Sequence, residues 1–318
     1  MGKRVIFQRP RCFSGTQTMT TTLEFTRRRL APVTAALSLL LGACQAPNDG
    51  SSAEMTGAGG ACPATLRFAD TGTEGLEELQ RDFAAFKAVL EEVLEVDVEF
   101  FAVSDRTVAA AAVSSGQVDI ILAGPSEYLA IRGNAGLEPI LAIDRPGYNA
   151  NIVVLKDSDI QSPEDLRGKR IALKDAGSTS GHIGPLALLQ ELGLDPNQDV
   201  DAQLLGGARI EAFAAGDVDA FGAGASDIRR LNERYGEDFY RVLVEGPELP
   251  RDVIGTAPHI PESCNDEIEA RLLANQREVL DALLDSSPKY GESSLHPNDD
   301  SNYDGMRAAH EAAGIPFD

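Results

Sequence analysis

From residue 64 onward the chain alternates short apolar runs with longer segments of helical periodicity. Residues 66–69 and the alternating run "VDVEFFAV" predict strands. Between them, Leu76, Leu79, Phe83, Phe86, Leu90 and Val93 recur at helical spacing and predict one helix over 76–94. Ser104 or Asp105 is placed to cap a helix running through residues 109–112, and "VDIILAG" reads as a buried strand. This order of strand, helix, strand, helix, strand implies a parallel sheet in an α/β fold.

The same order then returns. "RIALKDAGSTSGH" is strand and loop, and "IGPLALLQELGL" is a helix ended by Gly193. "DAQLL" is a strand, "ARIEAFAAG" a helix and "VDAFGAG" a strand. The repeat is visible in letters: "SSGQVDIILAGPSEY" at 114–128 matches "AAGDVDAFGAGASDI" at 214–228, one hundred residues on. Two α/β lobes are therefore expected, lobe 1 from residues 62–149 plus 246–318 and lobe 2 from 150–245. "YNANIVVLKD" and "VLVEGPELPRDVIGTAP" are the expected crossing strands of a two-stranded hinge. "NDEIEARLLANQREVLDALL" reads as one helix, followed by polar loop and a short helix. Ligands in open α/β sheets sit beyond the carboxyl ends of the strands. The loops there are "DTGTEG", "GPSEY", "DAGSTSGH" and "GASDI", facing an interlobe cleft.

The third of these loops holds the candidate chemistry. Ser178, Thr179 and Ser180 precede a helix whose first turn contains Pro185, as helix starts favour. A helix start has unpaired N–H groups and about half a positive charge. With several hydroxyl donors added, such a site suits a tetrahedral oxyanion. Gly181 lets the backbone approach closely, and His182 is a further donor. A single capping hydroxyl would suffice for a plain helix start. No GxxxxGK[ST] occurs, so nucleotide hydrolysis is not indicated. A Ser/His hydrolase is the enzymatic alternative. It is disfavoured because GxSxG is absent and the close spacing of Ser178, Ser180 and His182 builds no triad by itself.

The N-terminus changes the compartment. "MTTTLEFTRRRLAPVTAALSLLLGAC" reads as a secretory signal, with Arg27, Arg28 and Arg29 ahead of a short apolar core. Residues 1–43 are assigned to that signal, with Met19 as an alternative start. "LLGAC" resembles the bacterial lipoprotein cleavage box, which implies a lipid on Cys44 and attachment to the outer face of the cytoplasmic membrane. Residues 44–61 then form a flexible tether. Seven of the 28 Lys and Arg lie in the first 43 residues, so the body is more acidic than the full chain's net charge of −22. An acidic body disfavours nucleic acid as a partner. Cys62 and Cys264 remain for the body, and in an oxidising compartment they are expected to pair. No CxxC occurs, and His182, His259, His296 and His310 lack zinc-ligand spacing, so neither a metal nor a cofactor is expected.

"GPSEYLA", "YNANIVV", "DAGSTSGH" and "ASDIRRL", in that order, resemble the phosphonate/phosphite-type solute-binding proteins of ABC transporters. The resemblance implies a two-lobed type II periplasmic binding protein fold, no catalysis, and ABC permease subunits as partners of a monomeric, periplasmic protein. It implies that Ser178, Thr179, Ser180, Gly181 and His182 hold P–O oxygens, with Tyr128 and Asp227 completing the pocket. Tyr148 matches at the first crossing strand. Asp227 either accepts a hydrogen bond from the ligand or caps its helix, and Glu74 either approaches the cleft or faces solvent. Absence of Trp and small-residue loops point to a small pocket, and so to phosphite first and methylphosphonate next. Sulfonate, aminoethylphosphonate and phosphate are the alternative ligands.

Overall fold

The computed structural model describes residues 54–72, 75–103 and 108–315. The signal segment, Cys44, Glu74 and the cap at Ser104 or Asp105 lie outside the described residues. No described helix is long and apolar enough to cross a membrane.

Among the described residues, thirteen strands are formed: β1 (Met55–Gly57), β2 (Cys62–Pro63), β3 (Thr65–Asp70), β4 (Asp97–Phe100), β5 (Ile120–Ala123), β6 (Glu138–Ile143), β7 (Asn149–Leu155), β8 (Arg170–Leu173), β9 (Asp201–Leu204), β10 (Ala220–Ala223), β11 (Tyr240–Glu248), β12 (Asp252–Thr256) and β13 (Leu295–Pro297). Apart from the small β1–β2 pair, they build two sheets. One has the order β13-β6-β12-β5-β3-β4 and the other β11-β7-β10-β8-β9. In each, three parallel strands are joined by an antiparallel one: β12 beside β5, β7 beside β10. This is the type II periplasmic binding protein arrangement of two α/β lobes.

The internal repeat is real in three dimensions. β5 and β10 start and end one hundred residues apart, as do the helices that follow them, Pro125–Ala135 and Ala225–Tyr235. The Val-Asp dipeptide ahead of each strand has a defined task. Asp119 accepts from the backbone N–H of Arg67 at 2.7 Å and from its guanidinium at 2.8 and 2.6 Å. Asp219 takes the backbone N–H of Arg170 at 2.9 Å and its guanidinium at 3.2 Å. Each aspartate therefore locks the first strand of its parallel trio to the third. A charged bidentate pair fixes geometry as well as adding stability.

Both sheets are covered on both faces, which is why their central strands read as continuous apolar runs. The first core layer packs Phe68 against Phe83, Phe86 and Phe100, with ring centroids 5.4 to 6.1 Å apart. The helix expected over 76–94 breaks at Phe83 into Leu76–Asp82 and Ala84–Leu94, and the break turns the Phe83 ring onto Phe68. The helix expected over 265–284 likewise divides at Asn275, into Glu262–Ala274 and Gln276–Ser286.

Three further differences from the sequence reading bear on the site. The long crossing strand expected over 242–258 is two strands, β11 in the second sheet and β12 in the first, so the links between lobes are the short segments 144–148 and 249–251. The C-terminal helix Asp304–Ala313 does not belong to the first lobe alone. Met306 packs in its core while Ala313 and Ile315 enter the core of the second. Finally, the tether expected over 44–61 is folded where it is described: β1 pairs with β2, and Ala58 is buried.

Cys62 and Cys264 form a disulfide closing 202 residues of sequence, tying this N-terminal hairpin to helix Glu262–Ala274. Loss of a native disulfide typically costs about 2–5 kcal/mol, and a loop this long lies at the upper end of that range by chain entropy. Replacing both cysteines by alanine is expected to lower the urea midpoint with that loss and leave ligand binding intact. Equal midpoints for both proteins would show that the loop closure contributes nothing.

Candidate functional site

Between the sheets, the carboxyl ends of β3, β5, β8 and β10 converge on a cavity of about 170 Å³. That is well below the roughly 300–1,000 Å³ of pockets for drug-sized ligands. Thr71 and Gly72 follow β3, Gly124 and Glu127 follow β5, Ser178, Thr179 and Ser180 follow β8, and Gly224, Ser226 and Asp227 follow β10. The first link between lobes adds Arg145 and Tyr148, and the start of β12 adds Asp252.

Two glycines make the close approach possible. A Cβ on Gly124 would stand 2.5 Å from Glu127 Oε2 and 3.2 Å from Thr179 Oγ1. One on Gly224 would stand 2.3 Å from Ser180 Oγ. The Ser-Thr-Ser loop is thus pressed against the start of a helix from each lobe. It opens its own helix as one wide turn, Thr179–Ile183, in which the Ser178 carbonyl accepts from both His182 and Ile183 N–H at 3.0 Å. Helix Gly184–Glu191 continues from there, with Pro185 in its first turn as the sequence implied.

Thr179 joins the lobes. Its hydroxyl donates to Glu127 Oε2 at 2.9 Å, and its oxygen accepts the Ser126 N–H at 3.1 Å. Tyr148 lines the cavity beside it. Burial pushes the Tyr148 phenol up to about 12, so it remains neutral.

Of the charged residues in the walls, Asp227 alone is singled out by the sequence pattern. Arg145, Lys174, Arg230 and Lys289 line the cavity beside Asp70, Glu127, Asp227 and Asp252. With Arg209 behind Asp227, five cations face four carboxylates. Arg145 donates to Asp252 at 3.0 Å and stacks its guanidinium 3.5 Å from the centre of the Tyr148 ring. Burial opposes the Arg145 charge, but Asp252 more than restores it and holds the group above its usual range. Asp252 also faces Lys289 Nζ at 3.3 Å and accepts from Tyr290 at 2.9 Å. Burial alone would raise this carboxyl, yet Arg145 and Lys289 outweigh it and keep it below the ordinary range. Arg145 precedes Tyr148 in "DRPGY", and Lys174 and Arg230 sit in stretches already quoted. Lys289 lies in the polar C-terminal stretch, which gave no signal of its own.

Of the residues singled out from sequence, Tyr148, Ser178, Thr179, Ser180 and Asp227 line the cavity. Tyr128 does not: it lies in the first-lobe core, its hydroxyl donating to Asp300 at 2.7 Å and its ring 4.6 Å from that of Tyr303. Successive helical residues turn by about a quarter of a circle or more, so Glu127 faces the cleft while Tyr128 faces inward. Gly181 and His182 are buried behind the loop. The Gly181 carbonyl accepts from the Lys174 N–H at 2.8 Å. His182 Nδ1 accepts from the Gly177 N–H at 3.1 Å. Burial, reinforced by nearby His310, lowers the His182 imidazole to about 4, so it braces the loop in its neutral form. Asp227 caps its helix, accepting the Gly224 N–H at 3.1 Å, pairs with fully buried Arg209, and lines the cavity.

Residues 71–303 match the family of periplasmic phosphonate substrate-binding proteins of ABC transporters. The phosphate-import protein PhnD of Mycolicibacterium smegmatis is 29% identical over 208 residues, covering 60% of this chain and 64% of that protein. The chain thus spans less than two thirds of that relative. The binding component of an ABC phosphonate transporter from Pseudomonas aeruginosa superposes with a TM-score of 0.64 at 20% identity, covering 79% of this chain and 86% of the other. PhnD1 of Prochlorococcus marinus, solved in complex with methylphosphonate, gives 0.64 at 16% identity, over 80% and 99% of the two chains.

Two outcomes follow. Asp227→Ala would leave Arg209 buried without its counter-charge and is expected to cost about 3–5 kcal/mol in urea unfolding. Unchanged stability would contradict the pair's structural role. For His182, the folded value lies below the unfolded one, so the unfolded chain binds the extra proton. Its contribution is complete above about pH 6.5 and is lost as pH falls through about 4. Urea unfolding of the native protein should weaken across that window more than that of His182→Asn; parallel curves would contradict it.

Proposed function

The chain belongs to the periplasmic phosphonate substrate-binding proteins of ABC transporters, and on that premise we propose that it captures a small phosphorus oxyanion, phosphite first and methylphosphonate next. The ligand sits in the cleft and passes to ABC permease subunits. The protein works as a monomer in the periplasm, held to the outer face of the cytoplasmic membrane through a lipid on Cys44.

The observation that carries the reading is the pairing of hydroxyl donors with the half-buried cations Arg145 and Lys289 around a cavity of about 170 Å³. Ser178 and Ser180 donate from one lobe at a helix start, where N–H groups favour negative charge. Arg145 and Lys289 approach from the links and the C-terminal stretch. Thr179 contributes by joining the lobes, and Tyr148 as a neutral donor. Asp227 shapes the wall while its charge is met by Arg209. The size of the cavity favours one tetrahedral group with at most a small substituent. Binding and release need no covalent step, so no residue is given a catalytic role.

Calorimetric titration of the ligand-stripped mature protein with phosphite, methylphosphonate, phosphate and sulfate tests this. Tight binding of phosphite or methylphosphonate is expected. Ser180→Ala is expected to weaken it about 10- to 100-fold, the value of a hydrogen bond to a charged group. Silence with every phosphorus oxyanion would overturn the assignment.

A further inference from the structure

Glu127 and Asp227 occupy the same position in the two halves of the repeat, three residues after Gly124 and Gly224. Their surroundings differ. Asp227 turns back on its own lobe, to the Gly224 N–H and to Arg209. Glu127 reaches across the cleft and accepts the Thr179 hydroxyl at 2.9 Å. That hydroxyl has one proton, spent on Glu127, and its oxygen is also held by the Ser126 N–H at 3.1 Å. The carboxylate is therefore fixed from the opposite lobe. It is 5% exposed and lines the cavity beside Ser178 and Ser180.

A carboxylate accepts hydrogen bonds and donates none. Placed in the wall of an oxyanion pocket, it repels any ligand oxygen that brings no proton and binds one that does. Phosphorus oxyanions keep a P–OH on a substantial fraction of molecules near pH 6 and on most below it, because their last ionisation falls at about 6. Sulfate and alkylsulfonates carry no such proton. Monoprotonated methylphosphonate and methanesulfonate share shape and charge and differ at this one hydrogen.

Resting on the function proposed above, we propose that Glu127 is the specificity-determining residue of the pocket, accepting the P–OH of the bound ligand and excluding sulfur oxyanions of the same shape. Sites built to bond a ligand hydroxyl reject the analogue without it by large factors.

The test is a calorimetric titration of the mature protein and of Glu127→Gln with methylphosphonate and methanesulfonate, near pH 5, where most of the phosphonate retains its last proton. The native protein is expected to prefer methylphosphonate by about 100-fold or more. In the variant an amide N–H meets an unprotonated oxygen, and the gap should narrow by about tenfold or more, chiefly through gained methanesulfonate binding. A native protein that binds methylphosphonate without discriminating, or a variant weakened equally for both ligands, would remove the role of Glu127 while leaving the phosphorus reading in place. Preference of the native protein for methanesulfonate, or binding of neither, would overturn both. If the variant does not fold, the native comparison alone still overturns the proposal where discrimination is absent.

Discussion

At the base of the cleft, the carboxylate of Asp252 is buried with Arg145 at 3.0 Å, Lys289 at 3.3 Å and the Tyr290 hydroxyl at 2.9 Å. An uncompensated buried charge is costly, and a buried pair is tolerable only with close geometry and further hydrogen bonds. Here one carboxylate holds two cations. Arg145 sits on the first link between lobes, Asp252 begins β12 after the second, and Lys289 comes from the C-terminal stretch. This cluster therefore fixes the approach of three separate pieces of chain. It also leaves positive charge facing the cavity, which a neutral cluster would not supply.

The two lobes are copies of one plan put to different use. Asp119 and Asp219 clamp equivalent strands through equivalent arginines, so each sheet holds its first and third parallel strands in the same way. The helices after β5 and β10 both start at the cleft from a glycine that must lack a side chain. Past that point the halves diverge. The second supplies the Ser-Thr-Ser loop and buries its acid against Arg209. The first supplies an acid that takes a hydroxyl from that loop. Asymmetry at two equivalent positions turns a duplicated scaffold into one site.

The sequence carried the parts that depend on local pattern. Strand and helix order, the hundred-residue repeat and the Ser-Thr-Ser loop are legible because periodicity and small-residue runs are local signals. Continuous helices over 76–94 and 265–284 were expected because their periodicity runs on, while the breaks at Phe83 and Asn275 answer to packing in three dimensions. Tyr128 and His182 were misplaced for a related reason. Proximity in sequence to a site loop does not say which way a side chain turns, and both turn inward. The cations were missed because Arg145, Lys174, Arg230 and Lys289 are dispersed along the chain and meet only when the links bring the lobes together. An acidic net charge of −22 masks this local surplus.

The central claim is that hydroxyls of the Ser-Thr-Ser loop and the cations near Asp252 grip one phosphorus oxyanion between the lobes. A crystal structure of the protein grown with methylphosphonate tests it most directly. The account predicts phosphorus in the interlobe cavity, with ligand oxygens within about 3 Å of Ser178 or Ser180 hydroxyls and of the Arg145 or Lys289 nitrogens. Phosphorus density elsewhere, or a ligand held without either group, would contradict it.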